Sequence, residues 1–277
     1  MRTLTAAWDA VRGQLARAGV PDPERETPLL LAAALELPKE ILYRDRPAVD
    51  DAAWARLEAW TERRARREPM AYVLGRQEFF GLDLVVTPRV LVPRPATETL
   101  VATALAEIPA REGRVVDVGV GSGAVALTLA RHGFAGWRVE GVDSDLQALT
   151  MAKTNRERVG VRARFYPSDL LAQVEGGLLA VVANLPYVGQ GDPVDPEVHF
   201  EPRRAVFGGA RGPELILRLV GQLMGKLAPD GHVLLEVGAG QAVEVAEALA
   251  EVGLTVAPPV TDVDGIARVV WGRRGGE

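Results

Sequence analysis

Near the middle of the chain stands the stretch Val115-Val116-Asp117-Val118-Gly119-Val120-Gly121-Ser122-Gly123. Its first four residues have the composition of a buried strand, and residues 124–131 that follow have the composition of a helix. The glycines between them allow a tight turn, and they let a ligand pack against bare backbone at a helix N-terminus. The stretch therefore predicts a strand, a ligand-binding turn and a helix in direct succession.

The spacing of these glycines separates two classes of cofactor. A Gly-x-Gly-x-Gly pattern occurs in binders of nicotinamide dinucleotides and of S-adenosylmethionine (SAM), and an ordinary glycine-rich turn is the structural alternative. The third glycine follows the second by two residues, so the dinucleotide pattern Gly-x-Gly-x-x-Gly is not met. An acidic residue also precedes the first glycine by two positions, as is common in SAM enzymes. We predict that SAM is bound by Asp117, Gly119, Val120, Gly121, Ser122 and Gly123.

Two further acidic residues end predicted strands. Asp143 follows the strand at 138–142, about 20 residues past the turn, where a carboxylate accepts hydrogen bonds from both ribose hydroxyls. The alternative for Asp143 is a role in capping the next helix, together with Ser144 or Asp145. Asp169 follows the strand at 163–166, where it would meet the adenine amino group while Leu170 covers the ring.

A fourth strand is predicted from Leu178 to Ala183, and it ends at Asn184-Leu185-Pro186-Tyr187. Such an uninterrupted apolar run is typical of a parallel strand that is buried on both faces. Ligands of open α/β sheets bind just outside the carboxyl ends of the strands, where this tetrapeptide would lie. An ordinary Asn/Pro turn is the alternative. The tetrapeptide is therefore a candidate site of chemistry next to the glycine-rich turn.

The rest of the chain suggests three regions. Strands and helices alternate through residues 96–277, which predicts a mostly parallel sheet with helices on both faces, including a helix over 214–227. Residues 1–70 read as a helical bundle, with a short helix over 28–37 and a solvated helix face at Arg63–Arg67. Residues 71–95 are expected to form a β-hairpin linker, and Thr97 or its neighbours to cap the following helix. The hairpin strands are placed at 79–86 and 90–92, with Thr87-Pro88-Arg89 as their turn.

Composition excludes several kinds of site. The chain has no cysteine, so it forms no disulfide and carries no thiolate nucleophile or cysteine-ligated metal. Its 3 histidines stand in no recognisable metal spacing, so no metal is expected. The net charge of −5 argues against a protein that coats nucleic-acid phosphates. No apolar run approaches the roughly 20 residues that span a bilayer, so we expect no membrane partner. The acidic balance leads us to expect no direct nucleic-acid partner. With no cysteine in the chain, a cytoplasmic protein is expected.

Several blocks together resemble a known family, the peptide chain release factor glutamine methyltransferases (the PrmC/HemK family). The tetrapeptide is similar to the Asn/Asp-Pro-Pro-Tyr/Phe motif of SAM-dependent amino-methyltransferases of class I. Phe79–Leu82 and Val90–Glu98 resemble the family block "F-x-G…LIPRPETE", and Glu201–Gly209 resembles its "EP…AL…G" segment. The segments 235–241 and 262–268 look like its C-terminal blocks.

The resemblance implies a fold, a reaction and a partner. The fold is a Rossmann-like class I methyltransferase domain (α/β, mostly parallel seven-stranded sheet) with a small N-terminal helical bundle joined by a β-hairpin. The reaction is methylation of the glutamine amide in the Gly-Gly-Gln loop of bacterial class I release factors, with S-adenosyl-L-homocysteine as product. The implied catalytic residues are Asn184, Pro186 and Tyr187, and Asn184 also contacts SAM. The substrate amide would donate its hydrogens to the Asn184 side chain and the Leu185 carbonyl and stack on Tyr187. The chain is expected to act as a monomer.

Two positions depart from the family pattern. Leu185 replaces the usual proline of the tetrapeptide, and Ala96 replaces a usual glutamate. Leucine keeps the carbonyl group but lacks proline's fixed φ, so packing must set the geometry. Other functions stay open. A nucleic-acid methyltransferase that acts on an adenine or guanine amino group shares the Asn-x-Pro-Tyr motif, and Leu185 makes a non-catalytic SAM-binding adaptor conceivable. A nicotinamide dehydrogenase is the third alternative, disfavoured by the glycine spacing.

Overall fold

A computed structural model describes residues 1–276. The chain divides into two compact units. The first, the helical unit, comprises Met1–Gly75 and the short segment Asp195–Phe200. The second, the sheet unit, comprises Arg76–Val194 and Glu201–Glu277. Over residues 1–276, no helix is both long and apolar enough to cross a membrane.

The helical unit has the predicted all-helical architecture. Its helices are α1 (Leu4–Arg17), α2 (Pro23–Leu35), α3 (Lys39–Asp45), α4 (Asp51–Ala65) and α5 (Met70–Leu74), with a 3₁₀ helix at Pro196–Phe200. Thr3 caps α1 because its hydroxyl accepts from the Ala6 amide at 3.2 Å. The face of α1 that carries Leu4, Ala7, Val11 and Leu15 is buried, and Leu15 is fully covered.

The predicted start of the second helix at Pro28 is wrong. Helix α2 begins five residues earlier, because Asp22 accepts from the Arg25 amide at 3.2 Å and Pro23 occupies the first turn. Pro28 therefore lies inside the helix.

The arginine run that ends α4 is a solvated face only in part, because Arg66 is exposed but Arg64 is buried. The Arg64 side chain is 4% exposed and pairs with Glu26 at 2.7 Å and with Glu197 at 2.9 Å. Arg67 also pairs with Glu197, at 2.7 Å, and Arg63 pairs with Glu68 at 2.6 Å. Glu197 belongs to the segment Asp195–Phe200, so its ion pairs with Arg64 and Arg67 attach that segment to the rest of the helical unit.

The sheet unit is built on the predicted mostly parallel sheet. A separate hairpin comes first, formed by β1 (Arg76–Phe79) and β2 (Leu82–Val85). The strands of the main sheet are β3 (Gly113–Val118), β4 (Trp137–Asp143), β5 (Arg164–Pro167), β6 (Leu178–Ala183), β9 (Leu227–Glu236), β10 (Leu254–Val256), β11 (Val260–Thr261) and β12 (Ala267–Arg274). The two remaining strands, β7 (Val188–Gly189) and β8 (Phe207–Gly209), pair with each other in a separate sheet. Within residues 1–276 the main order is β10-β12-β9-β6-β3-β4-β5, and β11 adds to β12. Strand β12 is antiparallel to β9 and β10, and the strands from β9 to β5 are parallel.

Helices flank this sheet. They are α6 (Pro95–Glu107), α7 (Ala124–His132), α8 (Leu146–Val159), α9 (Arg203–Val206), α10 (Glu214–Val220) and α11 (Ala242–Glu251). Every residue of β6 is buried, as the uninterrupted apolar run predicts. Helix α10 is shorter than the predicted 214–227, since it ends at Val220 and Leu227 already begins β9.

The predicted hairpin turn at Thr87-Pro88-Arg89 is wrong. The chain reverses at Phe80-Gly81, where both residues have positive φ, +48° and +77°. Such a two-residue turn matches the twist of antiparallel strands, although Asn-Gly is its usual sequence. Here a distant side chain supports it, because Glu98 accepts from the Phe80 amide at 2.9 Å. Residues 90–92 are not a strand.

Candidate functional site

The predicted glycine-rich turn connects β3 to α7, as expected. Gly119, Gly121 and Gly123 all have positive φ, at +79°, +53° and +88°. The Gly119 and Val120 amides donate to the Val142 carbonyl at the end of β4, at 2.8 and 3.0 Å. These conformations suit glycine because they place a side chain of any other residue under strain. The backbone itself therefore defines the shape of this turn, which we call the glycine loop (Gly119–Gly123).

Asp143 supports the glycine loop from β4. One carboxylate oxygen accepts from the Gly121 amide at 3.0 Å, and the other accepts from the Asp145 amide at 2.9 Å. Burial raises the Asp143 pKa, and these two backbone hydrogen bonds oppose that rise. The following helix is capped by Asp145, which accepts from the Gln147 amide at 2.9 Å. A carboxylate has about four acceptor positions, so Asp143 still has acceptor capacity for a ligand.

Asp117 is buried beneath the loop at 2% exposure. It accepts from the Ala126 amide in the first turn of α7 at 3.0 Å. Burial, with a smaller contribution from the charge of Asp143, raises the Asp117 pKa to about 7. A carboxyl group near a helix N-terminus is stabilised by the helix dipole. Asp117 therefore ties the end of β3 to the start of α7.

The predicted adenine-side residues differ in environment. Leu170 is 6% exposed and adopts a positive φ of +51°. Its carbonyl accepts from the Ser168 hydroxyl at 2.7 Å, which stabilises that conformation. Asp169 is exposed and pairs with Arg218 at 2.9 Å. An exposed ion pair of this kind contributes little to stability, so Asp169 can exchange Arg218 for another partner.

A cleft brings most of the predicted residues together at the carboxyl ends of the parallel strands. The predicted residues that line it are Asp117, Gly119, Val120, Gly121, Ser122, Asp143, Asp169, Leu170, Asn184, Leu185 and Pro186. Gly123 and Tyr187 are not among its lining residues. The individual contacts of these residues with a cofactor stay predictions.

Asn184 is held by Thr97, which was expected to cap the following helix. Its side-chain nitrogen donates to the Thr97 hydroxyl at 2.8 Å. Thr97 does not cap α6, since Arg94 occupies the N-cap position and Pro95 the first turn. The capping prediction is therefore wrong, because proline needs no partner for a backbone N–H and starts this helix by itself. The Thr97 hydroxyl is left free to orient the Asn184 amide.

Leu185 closes the space beside the glycine loop. It is 4% exposed, and a Cβ placed on Gly119 would lie 2.8 Å from the Leu185 Cδ2 atom. The Leu185 side chain belongs to the same apolar cluster as Val118 and Val237. Packing therefore fixes the position of Leu185. Leucine lacks the fixed φ of the usual proline, so the backbone geometry here depends on this packing.

Tyr187 is fixed at both its backbone and its side chain. Its hydroxyl donates to Glu236 at 3.3 Å, and its carbonyl accepts from the Gln241 side chain at 2.8 Å. Burial and then the charge of Glu236 raise the Tyr187 pKa to about 12. The phenol is therefore neutral over the physiological pH range.

Glu236 is the buried acid behind the tetrapeptide. It lies at the end of β9 with 0% exposure. Burial raises its pKa to about 7, and the neighbouring Thr97 and Tyr187 hydroxyl groups and the charges of Arg268 and Arg94 oppose that rise. Its Oε2 atom has no hydrogen-bond partner among residues 1–276. A buried, half-satisfied carboxyl group is uncommon and points to a functional role.

The segment that follows the tetrapeptide packs against its backbone. A Cβ on Gly208 would lie 2.0 Å from the Gly212 carbonyl oxygen and 2.1 Å from that of Pro186. Buried Glu201 accepts from the Val92 amide at 3.2 Å and pairs with Arg94. The two blocks that carry the family resemblance, around Arg94 and Glu201, therefore contact each other.

Thr97, Glu236 and Asn155 support the site in ways that sequence patterns did not indicate. Buried Asn155 in α8 donates to the Ser122 and Val85 carbonyls, both at 2.9 Å, and accepts from the Val85 amide at 2.8 Å. One signal was available for Glu236, which ends the apolar run Val233–Leu235 as a charged residue. Thr97 and Asn155 have no comparable local signal, because their partners lie far away in sequence.

Comparisons with known proteins agree with this architecture. Residues 6–75 match the family described as PrmC N-terminal domain, and residues 95–199 match the methyltransferase small domain. A methyltransferase structure from Pyrococcus furiosus superimposes with a TM-score of 0.56 at 20% identity, covering 78% of this chain and 99% of that one. This likeness shows the fold of class I methyltransferases.

Full-length relatives specify the family. The release factor glutamine methyltransferase of Koribacter versatilis is 40% identical over 281 residues, covering 98% of this chain and 99% of that protein. The corresponding protein of Geobacter sulfurreducens is 38% identical over 279 residues, covering 99% and 97%. The chain belongs to the release factor glutamine methyltransferase family.

Proposed function

We propose that this protein methylates the side-chain amide nitrogen of the glutamine in the Gly-Gly-Gln motif of bacterial class I peptide chain release factors. The methyl donor is SAM. One observation carries the proposal: the Asn184 amide is oriented by Thr97 at the end of β6, next to the glycine loop. The full-length similarity to proteins named release factor glutamine methyltransferase supports this choice of substrate.

The cleft fits SAM. Its glycine loop has the positive φ values that leave backbone exposed to a ligand, and Asp143 stands at the end of the neighbouring strand. We propose that the loop and Asp117 hold the methionine part, Asp143 the ribose, and Asp169 and Leu170 the adenine. When bound, SAM supplies a methyl group on a positively charged sulfur. No group of histidine and acidic residues suited to a metal ion occurs in the part of the chain that the structure describes.

The chain's own residues act on the acceptor nitrogen. An amide nitrogen is a weak nucleophile because its lone pair is delocalised. The Asn184 Oδ1 atom and the Leu185 carbonyl would accept the two N–H hydrogens, which stabilises the positive charge that develops on nitrogen. Neutral Tyr187 would stack on the substrate plane and fix its orientation. Pro186 offers no N–H that could compete for these acceptors.

Each region is assigned a part in this function. Residues 1–70 recognise the release factor, and residues 96–277 carry out the methyl transfer. Residues 71–95 link these two regions. The match of residues 6–75 to the PrmC N-terminal domain supports the first assignment. We further propose that the protein is a cytoplasmic monomer that binds no nucleic acid directly.

The decisive assay supplies labelled SAM together with purified release factor, DNA or RNA. We expect label in the release factor, located on the motif glutamine by mass spectrometry. Label in nucleic acid alone would assign the protein to the amino-methyltransferases of bases. SAM binding by calorimetry without any labelled product would identify an adaptor.

A variant tests the role of the site in the same assay. Asn184→Ala removes one of the two proposed acceptors but leaves the glycine loop intact. Turnover should fall by at least 100-fold, a typical cost of losing one group that stabilises transition-state charge. The Kd for SAM should change by less than about threefold, which is roughly half of the free-energy change that a tenfold change in affinity represents. Equal losses in turnover and affinity would contradict the acceptor role.

A further inference from the structure

We propose that Arg204 is a gate residue of the cofactor cleft, and that its ion pair with Asp145 closes the cleft over bound SAM. Arg204 lies in α9, in the segment that follows the tetrapeptide, and Asp145 is the N-cap residue of α8. Both residues line the cleft. The inference rests on the proposed placement of SAM along the glycine loop. It concerns a further property of that site, namely how fast SAM enters and leaves.

The location of this ion pair follows from the strand order. In the main sheet, β3 lies between β6 and β4. The tetrapeptide and α9 come after β6, Asp145 comes after β4, and the glycine loop comes after β3. The Arg204 guanidinium donates to Asp145 Oδ2, across 59 positions of sequence. A contact between the segments after β6 and β4 must span the end of β3, where the glycine loop begins.

One partner of the pair is fixed, and the other is free to rotate. The Asp145 side chain is 13% exposed, and its Oδ1 atom accepts from the Gln147 amide at 2.9 Å. The Arg204 side chain is 58% exposed. Exposed side chains change rotamer within picoseconds to nanoseconds. The pair can therefore break by rotation of the Arg204 side chain while Asp145 keeps its place.

The backbone that carries Arg204 is anchored on both sides. Before α9, buried Glu201 pairs with Arg94 and accepts from the Val92 amide. After α9, Phe207 begins β8, which pairs with β7. Opening of the cleft at this point therefore requires rotation of one side chain and no movement of α9.

The strength of the pair sets the size of the effect. An ion pair with one exposed partner contributes little free energy, so it breaks often but stays closed most of the time. If SAM passes only while the pair is open, the pair slows entry and release by the same factor, about three- to fivefold for a pair of this kind. The ratio of the two rate constants, which is the Kd, then stays the same. This pattern distinguishes a gate from a direct contact, because a contact slows release alone.

Two variants that break the pair test this pattern. Arg204→Gln removes the positive charge, and Asp145→Asn removes the negative charge but keeps an oxygen that caps α8. The Asp145 amide donates to Asp143 at 2.9 Å, so both variants alter the charge near Asp143. They alter it in opposite directions, and an effect that both variants share therefore cannot arise from that charge.

The rates of SAM exchange are the measured quantities. Release is followed by adding excess unlabelled SAM to protein loaded with labelled SAM, and entry is followed by the approach to equilibrium at several SAM concentrations. We expect each variant to raise both rate constants by about three- to fivefold, with the Kd within about twofold of the wild type. The double variant should exchange SAM no faster than either single variant, because both substitutions break the same interaction.

A control variant and a change of salt separate the gate from a general loss of charge. Arg211→Gln breaks an exposed ion pair with Glu244, at 3.0 Å, and neither residue lines the cleft. Its exchange rates should equal those of the wild type. Because salt screens exposed charges, raising the ionic strength from about 0.05 to about 0.5 M should accelerate release from the wild type more than from Arg204→Gln.

The outcomes separate this inference from the proposed function. Unchanged rates in Arg204→Gln and Asp145→Asn, or a change in only one of them, would overturn the gate. A faster release with an equal loss of affinity would also overturn it, because that result would indicate direct contact between Arg204 and SAM. The measurement contains no release factor, so it tests the gate even if the wild type binds SAM and methylates no release factor. In that case the proposed function alone fails.

Discussion

The glycine loop and the tetrapeptide Asn184–Tyr187 follow neighbouring parallel strands, yet they are held in different ways. The glycine loop is shaped by its own backbone, with hydrogen bonds to Val142 and Asp143 on the adjacent strand. The tetrapeptide is held mainly by side chains and glycines from distant parts of the chain, including Thr97 and Gly208. Cofactor binding therefore depends on local geometry, whereas acceptor binding depends on the tertiary structure.

This difference predicts separable effects of substitution. Changes around the tetrapeptide should mainly reduce turnover, and changes in the glycine loop should mainly reduce SAM affinity. Three substitutions test the separation and a fourth tests the pH dependence of stability at the cofactor side, and they follow from the largest expected effect to the smallest.

Gly208→Ala should have the largest effect. Its Cβ would lie 2.1 Å from the Pro186 carbonyl oxygen and 2.0 Å from that of Gly212, so backbone must move. Small displacements of reacting groups are costly, and we expect kcat to fall by at least 100-fold with SAM affinity nearly unchanged. Gly191→Ala is the control, because its Cβ would meet nothing within 4 Å. Loss of SAM binding together with turnover would show that the two regions are not separable.

Gly119→Ala should act on the cofactor side. Its φ of +79° costs a side chain about 1–2 kcal/mol, and its Cβ would lie 2.8 Å from Leu185 Cδ2. We expect SAM affinity measured by calorimetry to fall by about 10- to 30-fold. Gly160→Ala carries a similar φ of +73° without a contact, so it should lower Tm but leave the Kd for SAM unchanged. The prediction fails if Gly119→Ala binds SAM like the wild type.

Gln241→Ala should have a moderate effect on turnover. It removes the donor that contacts the Tyr187 carbonyl at 2.8 Å. A hydrogen bond of this kind contributes about 0.5–1.5 kcal/mol, so kcat should fall by about 2- to 12-fold. Gln77→Ala, in the hairpin, is a matched control with no expected change. A larger loss of SAM affinity than of kcat would place Gln241 on the cofactor side.

Asp117→Asn should have the smallest effect, on the pH dependence of stability. Burial raises the Asp117 pKa from 3.8 to about 7, so between these values the folded protein binds a proton that the unfolded chain has lost. This contribution to stability is present below the lower value and is lost as pH rises through the upper one. In the variant, the decrease in Tm from pH 5 to pH 8 should shrink by a few degrees, about 2–4 °C per kcal/mol.

The control for this measurement is Asp264→Asn, whose side chain is exposed. SAM affinity provides a second criterion. A Kd for SAM within about threefold of the wild type would indicate that Asp117 only ties β3 to α7, and a larger loss of affinity would support its proposed contact with the methionine part of SAM. A decrease in Tm identical to that of the wild type would show that Asp117 is not responsible for the pH effect.

The comparison also explains how much the sequence could predict. Strand β6 was predicted with its observed limits, because an apolar run ending at Asn-Leu-Pro-Tyr is a local signal. The glycine loop was predicted for the same reason. The hairpin turn was not, since Phe80 adopts its positive φ with support from Glu98, 18 residues away. Local patterns cannot reveal a conformation that a distant side chain stabilises.

The candidate site shows the same limit. Asn184 and Asp143 were identified from strand ends and spacing, and the cleft brings them together. Glu236 and Thr97 were not assigned to the site, because their roles arise from contacts between β9, α6 and the end of β6. Hydroxyl and carboxyl groups at strand and helix ends have many possible partners, and only the folded structure selects among them. Sequence therefore indicated the reacting residues better than the residues that hold them.

The segment Asp195–Phe200 has a consequence for dissecting the protein. The helical unit is discontinuous in sequence, since it takes this hexapeptide from within the methyltransferase half of the chain. A fragment that ends at Gly75 would lack Glu197, and its buried Arg64 would keep Glu26 as partner but lose a second carboxylate. Exchange of the N-terminal domain between relatives must therefore carry the hexapeptide with it. Recombination at a single crossover point would separate residues that fold together.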